Sequence, residues 1–237
     1  MLQGGAQLVV AHSNQKPGGV ERGSVERVWY VAYGSNLALE RFSCYLDGGR
    51  PRGGARVYPG CRDRTSPQRT AAVTVPGGLV FAGASKVWGG GSAFYNAAAP
   101  TQLAGRAYLV TLDQLADVAA QEMWREPGGA YARELAALLP EVAELHSLGA
   151  GRYETVVRLG ELDGLPMFTV THGTVADLAP VAPTASYLHW IATGLIEAHG
   201  WDLAQVVDYL HAAPGVQLGW TPGALLSALN GNAGRGG

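Results

Sequence analysis

The run Val28-Trp29-Tyr30-Val31-Ala32-Tyr33 is aromatic and β-branched, has the length of a strand, and halts at Gly34-Ser35-Asn36. Such a run reads as a buried strand entering a turn. Beyond it, Leu37 to Leu46 has helix-forming composition, and Asn36 or Ser35 stands where an N-cap is wanted. A strand, a glycine turn and a helix start in succession leave backbone N–H groups at the positive end of a helix. That arrangement suits a carboxylate, a phosphate or a developing oxyanion. Gly34 lets a ligand approach the backbone closely. An ordinary strand-to-helix connection has the same local chemistry, so the turn alone does not decide between binding and structure.

With 237 residues and 47% hydrophobic content the chain is long enough to bury a full core, and a single domain is expected over residues 28–229. Residues 1–27 read as a flexible arm and 230–237 as a flexible glycine-rich tail. A net charge of -2 with 15% charged residues argues against a nucleic-acid surface and points to small-molecule partners. Cys44 and Cys61 are too few for a disulfide framework and sit in no zinc-ligand spacing, so no metal site is expected. There is no apolar run of about 18 residues and no leader-like start, which reads as a cytoplasmic protein without a membrane partner. Oligomeric state is not legible.

From Asp47 to Arg69 the chain carries Arg50, Arg52, Arg56, Arg62, Arg64 and Arg69 among glycines and prolines. With Tyr58 as its one aromatic, the segment reads as a solvated loop rather than a binding patch. Short β-like runs follow at 71–75, 78–82 and 103–110, and Gly89-Gly90-Gly91 reads as a turn.

The helix expected from Leu112 to about Trp124 has a marked start, with Thr111 and Gln114 at the spacing of a capping box. Leu112, Leu115, Val118 and Ala119 form its apolar stripe, and Glu122 falls on the same stripe. A carboxylate on a buried face, in a last turn where the helix dipole is negative, is disfavoured in its ionised form twice over. Glu122 therefore reads as a residue kept for chemistry, against the alternative of a core-edge Glu paired with Arg125 or Arg133. Further on, a short helix is expected over 132–139. Runs 152–159 and 165–171 then flank Asp163-Gly164 as a hairpin, with His172 a satisfied structural histidine. A helix over 187–199, ended by Gly200, and two more opened by Asp202 and Thr221 complete the chain.

Tyr30-Val-Ala-Tyr33-Gly34-Ser35-Asn36 resembles the signature Tyr-x-x-Tyr-Gly-Ser-Asn of the gamma-glutamylcyclotransferase-like family, and the likeness extends over about residues 28–213. In that family the loop grips the substrate and a general-base Glu ends the central helix. Glu122 holds the matching position, although Met123-Trp124 follows it where family members often have a glycine. The Pro-rich approach to Tyr187 also looks like the family's late segment, in which a Tyr heading a helix contacts substrate. A core aromatic is the alternative there.

The resemblance implies an α+β fold, a small mixed β-barrel or curled sheet with helices packed around it. It implies an enzyme that cleaves a γ-glutamyl amide to 5-oxoproline and a free amine with no metal or organic cofactor. Glu122 would be the base, and Tyr30, Val31, Ala32, Tyr33, Gly34, Ser35 and Tyr187 would bind substrate. A deprotecting enzyme acting on a γ-glutamyl-capped intermediate and a non-catalytic binding module are the rival classes.

Overall fold

The computed structural model of the chain describes residues 26–233; the rest of the expected N-terminal arm and residues 234–237 of the expected tail lie outside them. The elements in chain order are β1 (Arg27–Ala32), α1 (Leu39–Asp47), β2 (Thr70–Pro76), β3 (Gly78–Ala84), β4 (Gly91–Asn96), β5 (Gln102–Thr111) and α2 (Leu112–Glu122). They continue as α3 (Ala130–Leu138), β6 (Leu145–Ser147), β7 (Thr155–Leu162), β8 (Leu165–Thr171), α4 (Ala185–His199), α5 (Leu203–Ala212) and α6 (Pro222–Ala233). Ordered elements reach beyond both ends of the expected domain: Arg27 already pairs with Thr111, and the last helix runs through Asn230 to Ala233. Among the described residues no helix is long and apolar enough to cross a membrane.

The architecture is α+β. Six strands form one mixed sheet in the order β2-β5-β1-β8-β7-β6, and the barrel alternative is not realised because β2 and β6 remain unjoined edges. β1 pairs antiparallel with β5 over its whole length and parallel with β8 through Trp29↔Met167 and Tyr30↔Phe168. Because side chains alternate along a strand, β1 feeds two cores. Trp29, Val31 and Tyr33 pack with Leu188, Ile191, Val206, Leu210 and Leu225 of α4, α5 and α6. Val28, Tyr30 and Ala32 pack with Phe42, Leu115, Val118 and Leu135 of α1, α2 and α3.

β3 and β4 make a separate hairpin, whose β4 strand belongs to the stretch the sequence left as a turn at its first glycine. It is fastened to the end of β8 by Thr171, whose Oγ1 accepts from Tyr95 N at 3.1 Å and donates to Tyr95 O at 2.8 Å. β7 begins at Thr155, three residues later than the apolar pattern suggested, which leaves Arg152 and Tyr153 in a loop. Where local rules were strong they hold. The capping box at α2 forms with Gln114 N on Thr111 Oγ1 at 3.0 Å and Thr111 N on Gln114 Oε1 at 3.1 Å. Asp163 and Gly164 turn the β7-β8 hairpin with φ of 52° and 75°.

The expected cap after the Gly34 turn is different. Ser35–Leu37 forms a single 3₁₀ turn, α1 starts only at Leu39, and its N-cap position, Ala38, makes no side-chain bond. The turn is held instead by partners distant in sequence: the Tyr108 hydroxyl donates to Asn36 O at 2.8 Å, and Arg106 Nη1 donates to Leu37 O at 3.2 Å. α4 presses onto it from above at Gly194, where any side chain would collide with Leu37.

Candidate active site

A cavity of about 400 Å³ opens where β1 runs out, a volume ordinary for a small-molecule site. Its floor is Tyr30 of β1 with Tyr33, Gly34, Ser35 and Asn36 of the segment that follows; α1 contributes Arg41 and Tyr45; the end of α2 contributes Glu122 and the residues after it. The β3-β4 turn supplies Trp88, the loop before β7 supplies Arg152 and Tyr153, and α4 supplies Tyr187. Val31 and Ala32, expected to bind substrate, do not line the cavity. Strand alternation sends them into the two cores, and they are 0% and 1% exposed.

Glu122 is half-buried rather than a core residue, because it is the last residue of α2 and its side chain reaches the cavity. Asn36 meets it there: Nδ2 donates to Glu122 Oε1 at 3.1 Å and lies 3.2 Å from the Tyr30 hydroxyl. Asn36 Oδ1 is buried without a partner. Neither of the arginines weighed as ion-pair partners takes that place. Arg125 sits over the Tyr131 ring at 4.7 Å and Arg133 donates to Gly128 O.

The helix end that carries Glu122 is anchored by its neighbour. Gln121 is fully buried, with Nε2 donating to Tyr45 O at 3.0 Å and Oε1 accepting from Gly60 N at 3.3 Å. Beyond it Trp124 adopts φ 59°, unusual for a residue with a side chain, and presents an indole that is 57% exposed. The chain thus leaves the helix through the left-handed region without a glycine, and Trp124 stands at the rim beneath Arg56 at 4.2 Å.

Gly34 and Ser35 line the cavity, and among the described residues neither amide donates to a protein acceptor. A Cβ on Gly34 would lie 3.0 Å from the Tyr187 hydroxyl, so the absence of a side chain keeps the space between β1 and α4 open. Tyr187 heads α4, is 5% exposed, stacks on Trp88 at 5.6 Å, and its hydroxyl accepts from Ala93 N at 3.2 Å. It packs in the core and also forms a wall of the cavity. Tyr33 donates to Val170 O at 2.7 Å.

The phenols of the site are held protonated. Burial, followed by the nearby Glu122 charge, raises the Tyr30 and Tyr45 hydroxyls well above their ordinary value. Burial likewise raises Tyr33, Tyr153 and Tyr187. At neutral pH these groups donate or accept hydrogen bonds and do not act as bases. Glu122 is the one carboxylate among the lining residues.

Arg41 is a site residue that sequence reasoning passed over. It is 1% exposed, its Nη2 donates to the Tyr58 hydroxyl at 2.7 Å, and its guanidinium lies over the rings of Tyr45 and Tyr58 at 4.6 and 4.5 Å. Nε and Nη1 have no partner. The available signal was spacing, since Arg41 and Tyr45 fall four apart on the buried face of α1. The arginine-rich segment is also more than a solvated loop. Arg62 is pinned to Asp117, Arg56 donates to Gln121 O, and Arg52 lies 6.0 Å from the Trp190 ring; Arg50 and Arg64 are exposed. His172 is satisfied as expected, accepting from Thr174 N at 3.1 Å. Among the described residues no group of three or more His, Cys, Asp or Glu is arranged to hold a metal ion.

No family model matches the chain. A curated relative, histone deacetylase 5 of Arabidopsis thaliana, is 34% identical over 201 residues, 78% of this chain and 30% of the relative's length. The chain therefore spans under a third of that protein, and the activity in its name belongs to the whole of it. Among solved structures, an uncharacterized human protein, loc79017, is similar with a TM-score of 0.48 and 16% identity, over 83% of this chain and 92% of that one. A gamma-glutamyl cyclotransferase is similar with a TM-score of 0.45 and 14% identity, over 87% of this chain and 99% of the other. Both are distant likenesses of shape, and the roles of the residues rest on the cavity itself.

Proposed function

We propose that the cavity converts a γ-glutamyl amide into 5-oxoproline and a free amine, with Glu122 as the general base. The observation that carries this reading is the 3.1 Å hydrogen bond between Asn36 and Glu122, which joins the Tyr-x-x-Tyr-Gly-Ser-Asn loop to a carboxylate 86 positions away, across one cavity. Either half alone has an ordinary structural explanation; together they provide a base beside backbone donors.

In the reaction the α-ammonium of the glutamyl group first releases one proton to solvent; the free amine then attacks its own side-chain carbonyl carbon while Glu122 takes the second proton from the nitrogen. The carbonyl oxygen takes the charge, held by unpartnered N–H groups such as those of Gly34 and Ser35. The bond to the departing nitrogen then breaks, and that nitrogen takes the proton from Glu122. No water is consumed and the base is regenerated. Because nucleophile and electrophile belong to one molecule, the work left to the protein is folding the chain for attack. Walls of Tyr30, Tyr33 and Tyr187, fixed by packing and hydrogen bonds, suit that task. Asn36 holds one carboxylate oxygen of Glu122 and leaves the other for the amine.

The test is mass spectrometry of the purified protein incubated with a panel of γ-glutamyl amines and peptides. Release of 5-oxoproline that depends on Glu122 is expected. Release of free glutamate, or no turnover of any member, would overturn the reading.

A further inference from the structure

We propose that the amine portion of the substrate carries more than one negative charge, an inference that rests on the cyclotransferase reading of the same cavity. Five cations line it, Arg41, Arg56, Lys86, Arg125 and Arg152, against the single carboxylate of Glu122. The ion pairs among the described residues are made elsewhere, by Arg62, Arg69, Arg106 and Arg158. None of the five cavity cations has a carboxylate within pairing distance among the described residues, so Glu122 alone offsets the positive charge of the lining.

The glutamyl half of the substrate does not use up this field, since its ammonium and α-carboxylate cancel. Glu122 offsets one of the five cations and leaves four. The surplus therefore falls on the departing half. Arg41 is the strongest sign, as a buried guanidinium with two N–H groups unpartnered is costly to keep. Arg152, on the loop before β7, is half-buried, with Nη1 donating to Ser92 Oγ at 2.8 Å. Lys86 is exposed on the β3-β4 turn, and Arg56 is stacked at the rim on Trp124. A shallower groove shared by Arg56, Tyr58, Trp124 and Arg125 continues outward and adds one acid, Glu126, which leaves the balance positive. The cations run from the buried Arg41, which shares the Tyr58 ring with Arg56 at 4.5 and 4.6 Å, out to the exposed Lys86, an extended row that fits an amine bearing two carboxylates better than one bearing a single charge.

The experiment compares three substrates whose glutamyl half is constant: γ-glutamyl-glutamate, γ-glutamyl-alanine and γ-glutamyl-ethylamide, read as kcat/KM for 5-oxoproline at low and high salt. The expected order is diacid, monoacid, neutral, with roughly tenfold between the extremes at low salt and a smaller ratio as salt rises. Arg152→Gln and Lys86→Gln, at positions not wholly buried, should each lower the diacid-to-ethylamide ratio several-fold and keep the test valid if Arg41→Gln does not fold. Equal rates, or a preference for ethylamide, with 5-oxoproline still formed would overturn the charge assignment and leave the reaction standing. If no compound yields 5-oxoproline, the reaction is wrong. Calorimetric titration with the diacid and the ethylamide then reads the cavity directly: tighter diacid binding supports an anionic ligand, and equal binding overturns it.

Discussion

Two carboxylates on α2, five residues apart, occupy opposite situations. Asp117 is 0% exposed and fully engaged: it accepts from Arg62 N and Nε at 3.0 Å and from Gly128 N at 2.8 Å. Glu122 is half-buried, accepts from the neutral amide of Asn36 and has the Tyr45 hydroxyl beside it, with no cation paired to it. The first ties the arginine-rich segment and the α2-α3 connection to the helix. The second faces a cavity. A saturated buried carboxylate is a fastener, and an under-coordinated one beside open space has capacity left for a ligand.

The largest effect expected from that contrast is on turnover. Glu122→Gln keeps shape and the bond to Asn36 but accepts no proton, so 5-oxoproline formation should fall about 10²–10⁴-fold with melting temperature unchanged. A variant that melted early and still turned over would reverse the roles given to the two carboxylates. Asp117→Asn should do the opposite. It leaves Arg62 and Gly128 competing for a single oxygen, and a loss of about 2–4 kcal/mol is expected by denaturant titration, with kcat in the surviving folded protein nearly intact. Stability equal to the parent's would remove the fastener reading.

What was legible in the sequence follows the same division. The run into Gly34, the capping box at Thr111 and the hairpin at Asp163-Gly164 are rules of neighbouring residues, and each is present as read. Glu122 was found because a charge on an apolar stripe is a local anomaly, although it lies at the edge of the core and not within it. Asn36 and Arg152 were missed because nothing near them in the chain distinguishes them, and Arg41 because a four-residue spacing marks a face without showing what covers it. Asn36 passes for a helix cap until β1 and α2 are brought together. Arg41 passes for a surface arginine until Tyr58 closes over it. β4 was hidden by Gly89-Gly90-Gly91, whose last glycine is in fact the first residue of a strand.

An alkaline titration sharpens the comparison from the side of the phenols. Burial raises Tyr131 and Tyr209 to about 12, and the cavity phenols rise as well. These tyrosines ionise more easily unfolded than folded. The stability their neutral forms confer is therefore complete below pH 10, the unfolded value, and is lost as pH climbs through the folded values. Melting temperature should stay level through neutral pH and fall above about pH 10, and 5-oxoproline formation should gain nothing from phenolate below that point. A rise in rate at pH 8 that tracked phenolate absorbance would transfer the base from Glu122 to a tyrosine.

The smallest effect tests whether exposure is what separates a fastener from a decoration. Arg69 and Asp163 pair at 2.6 Å with side chains 51% and 46% exposed, whereas Arg62, 45% exposed, meets an Asp117 side chain that is only 1% exposed. The two arginines are alike; the acids are not. Water solvates both partners of the first pair and salt screens them, so Arg69→Ala should cost about 1 kcal/mol or less, even with the 5.4 Å approach of its guanidinium to Trp29. That small loss should shrink further at high salt, while the Asp117→Asn loss should not. Equal and equally salt-sensitive losses from the two variants would mean that burial of the acid is not what matters, and the contrast between Asp117 and Glu122 would then need a cause other than the number of their partners.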